Sequence, residues 1–571
     1  MSIPSPAEES KPCRENVNDG QKLSGTLGND GHDNDNQGQE TFPVLVALTV
    51  GVCLVAFAVS LDNSILATAI PRIAAEFGSL ENAAWYRGAS FAASAGLQLP
   101  LARLYTLFDA KRTYLASLAV FELGCIVCAV ATGPGAFVAG RAVLGAGAAG
   151  LHPGVVNILG PAAPAASRPA LLTVSTAVAG AASLIGPPVG GAFADASRLT
   201  WRWCFWVNVP IGAVGGGVVL LALRPARLSL SSKTDTGSSD GAARPAQHPE
   251  STLPLPQKLL RLDPLGTLFL SAATASLLLA LQWGGTSHYW TDKPVWGSLA
   301  AAGLLFSAFA VAQRYPHHPA AASLPPSLLR SSRTVLTSAV LAATLSAALL
   351  GHVFLLPFYF QAVRGTTATG SGLRMLAYMG AAALGGVVFG AAVAGGRVLL
   401  GRRHGVACAP VATGLFVVGA GLLHTLGVGT PAATAAAFQL VAGVAAGVAL
   451  QVPFVALRQL AGELGTGGHG AASALVACAN ASGAALGTFV VQNIFLGKLA
   501  AGLRNVAGLT PEQADAILRA GRLPSMRDPA FMSPLLLEDV LGAFATAVDA
   551  AFVFPVVASV LAFLASLVFM C

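Results

Sequence analysis

Three ionisable side chains interrupt long apolar stretches of this sequence: Asp62, Glu122 and Arg141. A charge surrounded by hydrocarbon is expensive, so each is a functional candidate by default. Asp62 falls in the outer half of the first apolar segment and Arg141 in the outer part of the fourth. Their depths agree, so they can meet as an ion pair or as a proton-sensitive contact; the plainer alternative is a structural pair that locks two helices. A carboxylate in a dry cavity has its protonation equilibrium displaced by desolvation, and a nearby guanidinium opposes that displacement. A conformational change that alters either influence moves a proton. For Glu122, in the middle of the third segment, a structural partner and a cavity role both stay open. Asp195 and Asp549 lie near segment ends, where solvated positions are expected. Arg202 stands between Trp201 and Trp203, which suits anchoring in an interfacial aromatic belt.

Other chemistries find little support. The chain carries no Walker loop, no paired His/Cys metal spacing and no nucleophile elbow, which disfavours an enzyme, a sensor or an ATP-driven pump. Cys125 and Cys128 form C-x-x-C only by pattern; within an apolar segment they read as two small buried residues rather than a redox pair. No catalytic residue, metal or cofactor is therefore expected.

The elements that must position these groups are set by composition. Of 571 residues, 54% are hydrophobic and only 10% charged, against roughly 25% charged in soluble domains. Such a chain is an all-α polytopic membrane protein, because a backbone crossing hydrocarbon must satisfy its own hydrogen bonds. The net charge of +7 is then explained by cationic loops that hold the topology, with no nucleic acid implied. Counting segments of ~20 apolar residues gives fourteen: 43–66, 83–102, 113–131, 136–158, 170–194, 203–223, 264–283, 294–313, 334–360, 371–395, 405–427, 433–456, 469–495 and 546–570. In the fifth, Gly186-Pro187-Pro188-Val189-Gly190-Gly191 combines prolines that remove backbone donors with glycines that leave a flat face for a neighbouring helix.

That run resembles the antiporter signature in the fifth span of major facilitator superfamily drug:proton antiporters. Three further stretches agree with it: LDNSILATAIP at 61–71, GRAVLGAG at 140–147 and WRWCFWVNVPIG at 201–212. Together they resemble the fourteen-span branch, especially fungal toxin and multidrug efflux pumps, from about residue 42 to the end. The resemblance implies two six-helix bundles with two additional central spans, alternating access, and proton-coupled efflux of hydrophobic small molecules such as a secondary metabolite or drugs. It also implies roles for Asp62 and Arg141 in proton coupling, and for Gly186, Pro187, Gly190 and Gly191 in packing of the antiporter motif. Gln361, Gln451 and Asn480 resemble family positions, and with Glu122 they are candidates for the substrate cavity; interhelical hydrogen bonding is the alternative for each. The loop after the second span, PLARLYTLFDAKR at 100–112, departs from the pattern: Ala102 replaces a glycine and Thr106 an acid, although Asp109 can substitute. A proton-coupled importer on the same scaffold, carrying basic amino acids into a vacuole or a siderophore, is the competing reading; such cargo would call for more cavity acids than Asp62 and Glu122.

The expected organisation is a disordered tail over 1–41, a six-span bundle over 42–223 and a cytoplasmic linker over 224–262. Two extra spans with an inner loop follow over 263–333, then a second six-span bundle over 334–571 with a long outer loop at 496–545. Pro511 to Leu518 can open a short surface helix in that loop. With the N-terminus inside, the tail and inner loops carry 20 Lys and Arg residues, against 7 on the outer side plus 5 in the long outer loop. This bias places both termini in the cytoplasm. A monomer in the plasma membrane is expected, with vacuolar or vesicle membranes as alternatives; the partners are a hydrophobic small molecule, protons and the bilayer.

Overall fold

The apolar runs fold into long helices, as a backbone without water must. The computed structural model describes residues 30–164, 167–223, 254–285, 287–315, 323, 324, 328, 332–395, 408–520 and 533–569. Residues 1–29 of the expected tail and 224–253 of the expected linker lie outside them. In chain order the helices are α1 (Asp30–Phe77), α2 (Ala83–Leu107), α3 (Ala110–Ala129), α4 (Pro134–Ala162), α5 (Arg168–Asp195), α6 (Trp203–Trp206) and α7 (Asn208–Ala222). After the linker come the short α8 (Leu255–Leu260), α9 (Pro264–Trp283) and α10 (Lys293–Arg314). The remainder are α11 (Arg333–Phe358), α12 (Ala368–Ala394), α13 (Cys408–His424), α14 (Ala432–Gln459), α15 (Ala461–Arg504), α16 (Pro511–Ala520) and α17 (Pro534–Val568). A π turn, Tyr359–Val363, continues α11. No strand occurs among the described residues.

Among the described residues, twelve helices are long and apolar enough to cross a membrane, against the fourteen expected. Two fall short for different reasons. Helix α13 has 17 residues. Helix α2 is long enough but carries Arg87, Ser90 and Gln98, all buried against protein rather than facing lipid. Helix also reaches into the 496–545 segment from both sides, through α15 and α17, and α16 occupies its middle.

Helices α1 to α7 form one bundle and α11 to α17 a second. They meet along two seams, α2 against α15 and α5 against α12. We call the end where α1 and α5 finish distal, and the end where α4 and α14 finish proximal.

The hairpin α9–α10 is closed by one carboxylate. Asp263, in the left-handed region at φ 54°, caps α9 by accepting from the Gly266 amide at 2.9 Å. Its second oxygen accepts from the Gln313 amide of α10 at 2.5 Å, and Gln313 in turn accepts from the Leu324 backbone at 2.8 Å. Loss of a cap and a buried partner costs about 1–3 kcal/mol. Asp263→Ala is therefore expected to lower the thermal midpoint in detergent, while Asp263→Asn, which can cap and tolerates this conformation, retains most of it. Equal midpoints for the two variants would refute the capping role.

Candidate functional site

Glycines bring the charged residues of the first bundle together. On α4, a Cβ at Gly145 would overlap the backbone of Ser90, and one at Gly147 the backbone of Phe121. Helix α4 thus lies directly on α2 and α3, and carries Arg141 inward towards α1. Its Nη1 donates to both carboxylate oxygens of Asp62 at 2.8 Å. Its Nη2 donates to Ser90 Oγ at 2.9 Å. Both members of the pair are sealed from solvent, at 0% and 1% exposure. The ring of Phe205 lies 5.8 Å from the guanidinium.

A second arginine stands beside them. Arg87, which its place in the sequence assigns to the outer-side charges, is buried four residues into α2, with Nη2 donating to the Asn63 carbonyl at 2.9 Å. Its position near the helix start resembles a membrane boundary in sequence, but its side chain turns into the bundle towards the α1 backbone beside Asp62. Glu122, on α3, is half-buried. Its carboxyl is pressed against Gly212 of α7 and has no hydrogen-bond donor among the described residues. Two guanidinium groups and the Asp62 carboxylate therefore lie buried together, and a proton gained or lost at Asp62 changes the balance of those contacts.

An aromatic lid closes this charged cluster distally. Phe77, Tyr86, Phe137, Trp201 and Phe205 meet edge-on or tilted with centroids 5.3–6.4 Å apart. Trp201 is 1% exposed and donates to Glu76 Oε2 at 2.6 Å. Of the two tryptophans expected in an interfacial belt, Trp201 is instead buried, with its N–H reaching the exposed Glu76 carboxylate, whereas Trp203 is 44% exposed. Arg202 covers that indole at 4.4 Å and pairs with Glu76 Oε1 at 2.8 Å.

The Gly/Pro run of α5 is gripped from two sides. Towards α1, a Cβ at Gly186 would overlap Ser64, and one at Gly190 the Ile65 carbonyl. Thr68 donates to the Pro187 carbonyl at 2.8 Å and Ser64 to Ala182 at 3.2 Å. Towards α12, in the other bundle, Gly191 lies against the Ala368 carbonyl and Gly372 against that of Pro187. Both prolines are accommodated within an unbroken helix.

At the distal end of α5, Asp195 is exposed as expected but not merely solvated. It accepts from the amides of Ala368 and Thr369 at 3.2 and 2.8 Å, and from Thr369 Oγ1 at 2.7 Å, so one bundle caps a helix of the other. An N-cap contributes about 1 kcal/mol. Asp195→Ala is expected to speed thiol labelling of a cysteine at Thr369 several-fold, whereas Asp195→Asn stays near the parent; unchanged labelling in Asp195→Ala would exclude the latch.

Residues 52–488 match the Major Facilitator Superfamily. The chain belongs to that superfamily. Among curated relatives, the "Aspyridones efflux protein" of Neocamarosporium betae is 37% identical over 72% of this chain and 68% of its own. The "MFS-type transporter astH" of Aspergillus oryzae is 33% identical over 92% of this chain and 86% of its own. The "MFS-type efflux pump MFS1" of Arthroderma benhamiae is 32% identical over 86% and 85%. In fold, the chain is similar to a bacterial homologue of the human lysosomal transporter Spinster, crystallised inward-facing and unoccupied. The TM-score is 0.58 at 16% identity, covering 93% of this chain and 98% of that one.

This major facilitator protein is accordingly a multi-pass membrane transporter rather than an enzyme. Its remaining cavity candidates do not converge. Gln361 donates to the Thr68 carbonyl at 3.1 Å, bridging the bundles distally. Gln451 lines a proximal cleft between α5 and α12, and half-buried Asn480 on α15 joins neither. In the eroded loop, Asp109 caps α3 through the Arg112 amide at 3.0 Å, and Lys111 donates to the last carbonyls of α7 at 2.8 and 3.1 Å. Missed in the sequence were Arg87, Ser90, and Gln492, which donates across the distal seam to Leu80 and Glu81 at 3.0 and 2.8 Å.

Proposed function

We propose that this transporter exports hydrophobic small molecules, in the manner of a fungal secondary-metabolite pump, in exchange for protons. The observation that carries the reading is the fully buried Asp62–Arg141 pair. A proton on Asp62 removes the charge that holds Arg141, leaving the guanidinium to Ser90 and to its neighbours. The two charge states thus favour different packings of α1 against α4, which is what coupling to a conformational change requires. The Gly186–Gly191 packing and the Asp195 cap support a distal seal while the path is closed on that side. Two of the relatives are named as efflux proteins, which agrees with export.

On this reading α2 and α13 also cross the bilayer, giving fourteen spans: two bundles of six and the central α9–α10 pair. Both termini lie in the cytoplasm of a plasma-membrane monomer. Gln451 contributes to the substrate path, while Gln361 belongs to the distal seal. Inside-out vesicles with an acidic lumen are expected to accumulate a lipophilic fluorescent dye, and an uncoupler to stop it. Accumulation indifferent to the uncoupler would remove proton coupling.

A further inference from the structure

At the distal end of the second bundle, the π turn that continues α11 meets the starts of α12 and α14. Together they enclose a cavity of about 50 Å³, walled by Tyr359, Phe360, Arg364, Arg374, Thr430 and Gln439, with alanines of α14 between them. That space takes a head group of a few heavy atoms, equivalent to a few waters. No acidic side chain lines it, and neither arginine has an acidic partner among the described residues.

Some of the lining groups are already satisfied. The Tyr359 hydroxyl donates to the Gly427 carbonyl at 2.9 Å, and Thr430 Oγ1 accepts from the Gly427 amide at 2.9 Å. Arg364 uses Nη1 to reach the Val428 carbonyl. These bonds shape the wall and leave donors and one acceptor over. Arg374 holds its guanidinium 5.7 Å from the centre of the Phe360 ring and makes no hydrogen bond among the described residues. Helix α14 opens at Ala432 with Pro431 at its N-cap and no side-chain cap, so its first-turn amides lack partners within the helix. The acceptor is Gln439, two turns into α14 and 1% exposed. Its Nε2 donates to the Ala435 carbonyl at 3.2 Å, which sets the orientation of the amide and leaves Oε1 buried without a donor. A buried oxygen in that condition calls for a partner.

We propose that this cavity binds an oxyanion that retains a proton: a hydrogenphosphate group, free in water or as the monoester head of a lipid. Its three unprotonated oxygens accept from Arg374, from the remaining nitrogens of Arg364 and from the start of α14, where the helix dipole favours negative charge. Its P–OH donates to Gln439 Oε1. Sulfate at neutral pH matches the guanidinium groups equally but brings no hydrogen for that oxygen. The buried amide therefore selects by leaving the wrong anion with an unmet acceptor. The site is separate from the Asp62–Arg141 pair and does not depend on proton coupling.

The full-length protein in phosphatidylcholine nanodiscs is titrated with radiolabelled inorganic phosphate at neutral pH. Saturable binding is expected, with unlabelled sulfate competing about tenfold more weakly than unlabelled phosphate. Gln439→Leu keeps the bulk of the side chain and removes the acceptor. It should lower phosphate affinity about tenfold and erase the advantage over sulfate. Arg374→Gln, at an exposed position, should weaken both anions together. Lys293→Gln, an exposed charge at the start of α10, should change nothing. Displacement by phosphatidic acid in the nanodisc, where glycerol 3-phosphate in the buffer fails, assigns the natural source to lipid, and the reverse assigns it to water. Absence of saturable binding, sulfate matching phosphate on the parent protein, or a preference that survives Gln439→Leu would each overturn the site. So would Arg374→Gln without effect, or an equal loss in Lys293→Gln.

Discussion

Asp62→Asn is expected to abolish gradient-driven dye export in inside-out vesicles while the protein still reaches the membrane. The change is nearly isosteric, so packing around α1 survives, but Arg141 loses the only carboxylate bonded to it among the described residues. Removing one member of a buried pair costs about 3–5 kcal/mol, since the other charge is left uncompensated. Export and stability then respond differently to a second substitution. Asp62→Asn combined with Arg141→Gln removes both charges and should recover much of the thermal midpoint, yet export should stay absent because no proton-binding carboxyl remains in the pair. Export restored along with stability would show that the pair only locks two helices.

Gly190→Val should be nearly as damaging by a different route. Its Cβ would fall within the Ile65 carbonyl oxygen, with Thr68 Oγ1 a further 3.0 Å contact, and backbone cannot rotate aside as a side chain can. Helix α1 must move away from α5, at a cost of about 1–3 kcal/mol or more, and the Thr68–Pro187 hydrogen bond goes with it. The expected readout is a distal seal that leaks protons into liposomes, together with dye export lowered by about tenfold or more. Gly217→Val, where the added atoms meet open space, is the matched control. Wild-type coupling in Gly190→Val would refute the close-approach argument.

These two sites differ in how openly the sequence displays them. Asp62 and Arg141 each interrupt a run of apolar residues at matching depth, and the cost of a charge in hydrocarbon makes such interruptions conspicuous. Gly186, Gly190 and Gly191 mark a helix face without side chains, although nothing local says that two of them meet α1 and the third meets α12. Arg87 was hidden by its place near a helix start, where a solvated arginine is the ordinary expectation. Asp195 likewise resembled a water-exposed helix end, because the amides it caps lie 173 and 174 residues away.

The sequence by itself determined the class of molecule, the helical segments and the residues whose charge is out of place. Each follows from local physics, since a segment in lipid must bond its own backbone and cannot ignore a charge. Only the tertiary structure decided that Trp201 is core rather than belt, that Gln361 and Gln451 serve opposite ends of the molecule, and that Arg364, Arg374 and Gln439 line one cavity. Those outcomes depend on which helix faces fit one another, and in a chain this rich in glycine and alanine many faces are nearly alike. Close backbone approach, at Gly145, Gly190 and Gly191 among others, selects one arrangement from them.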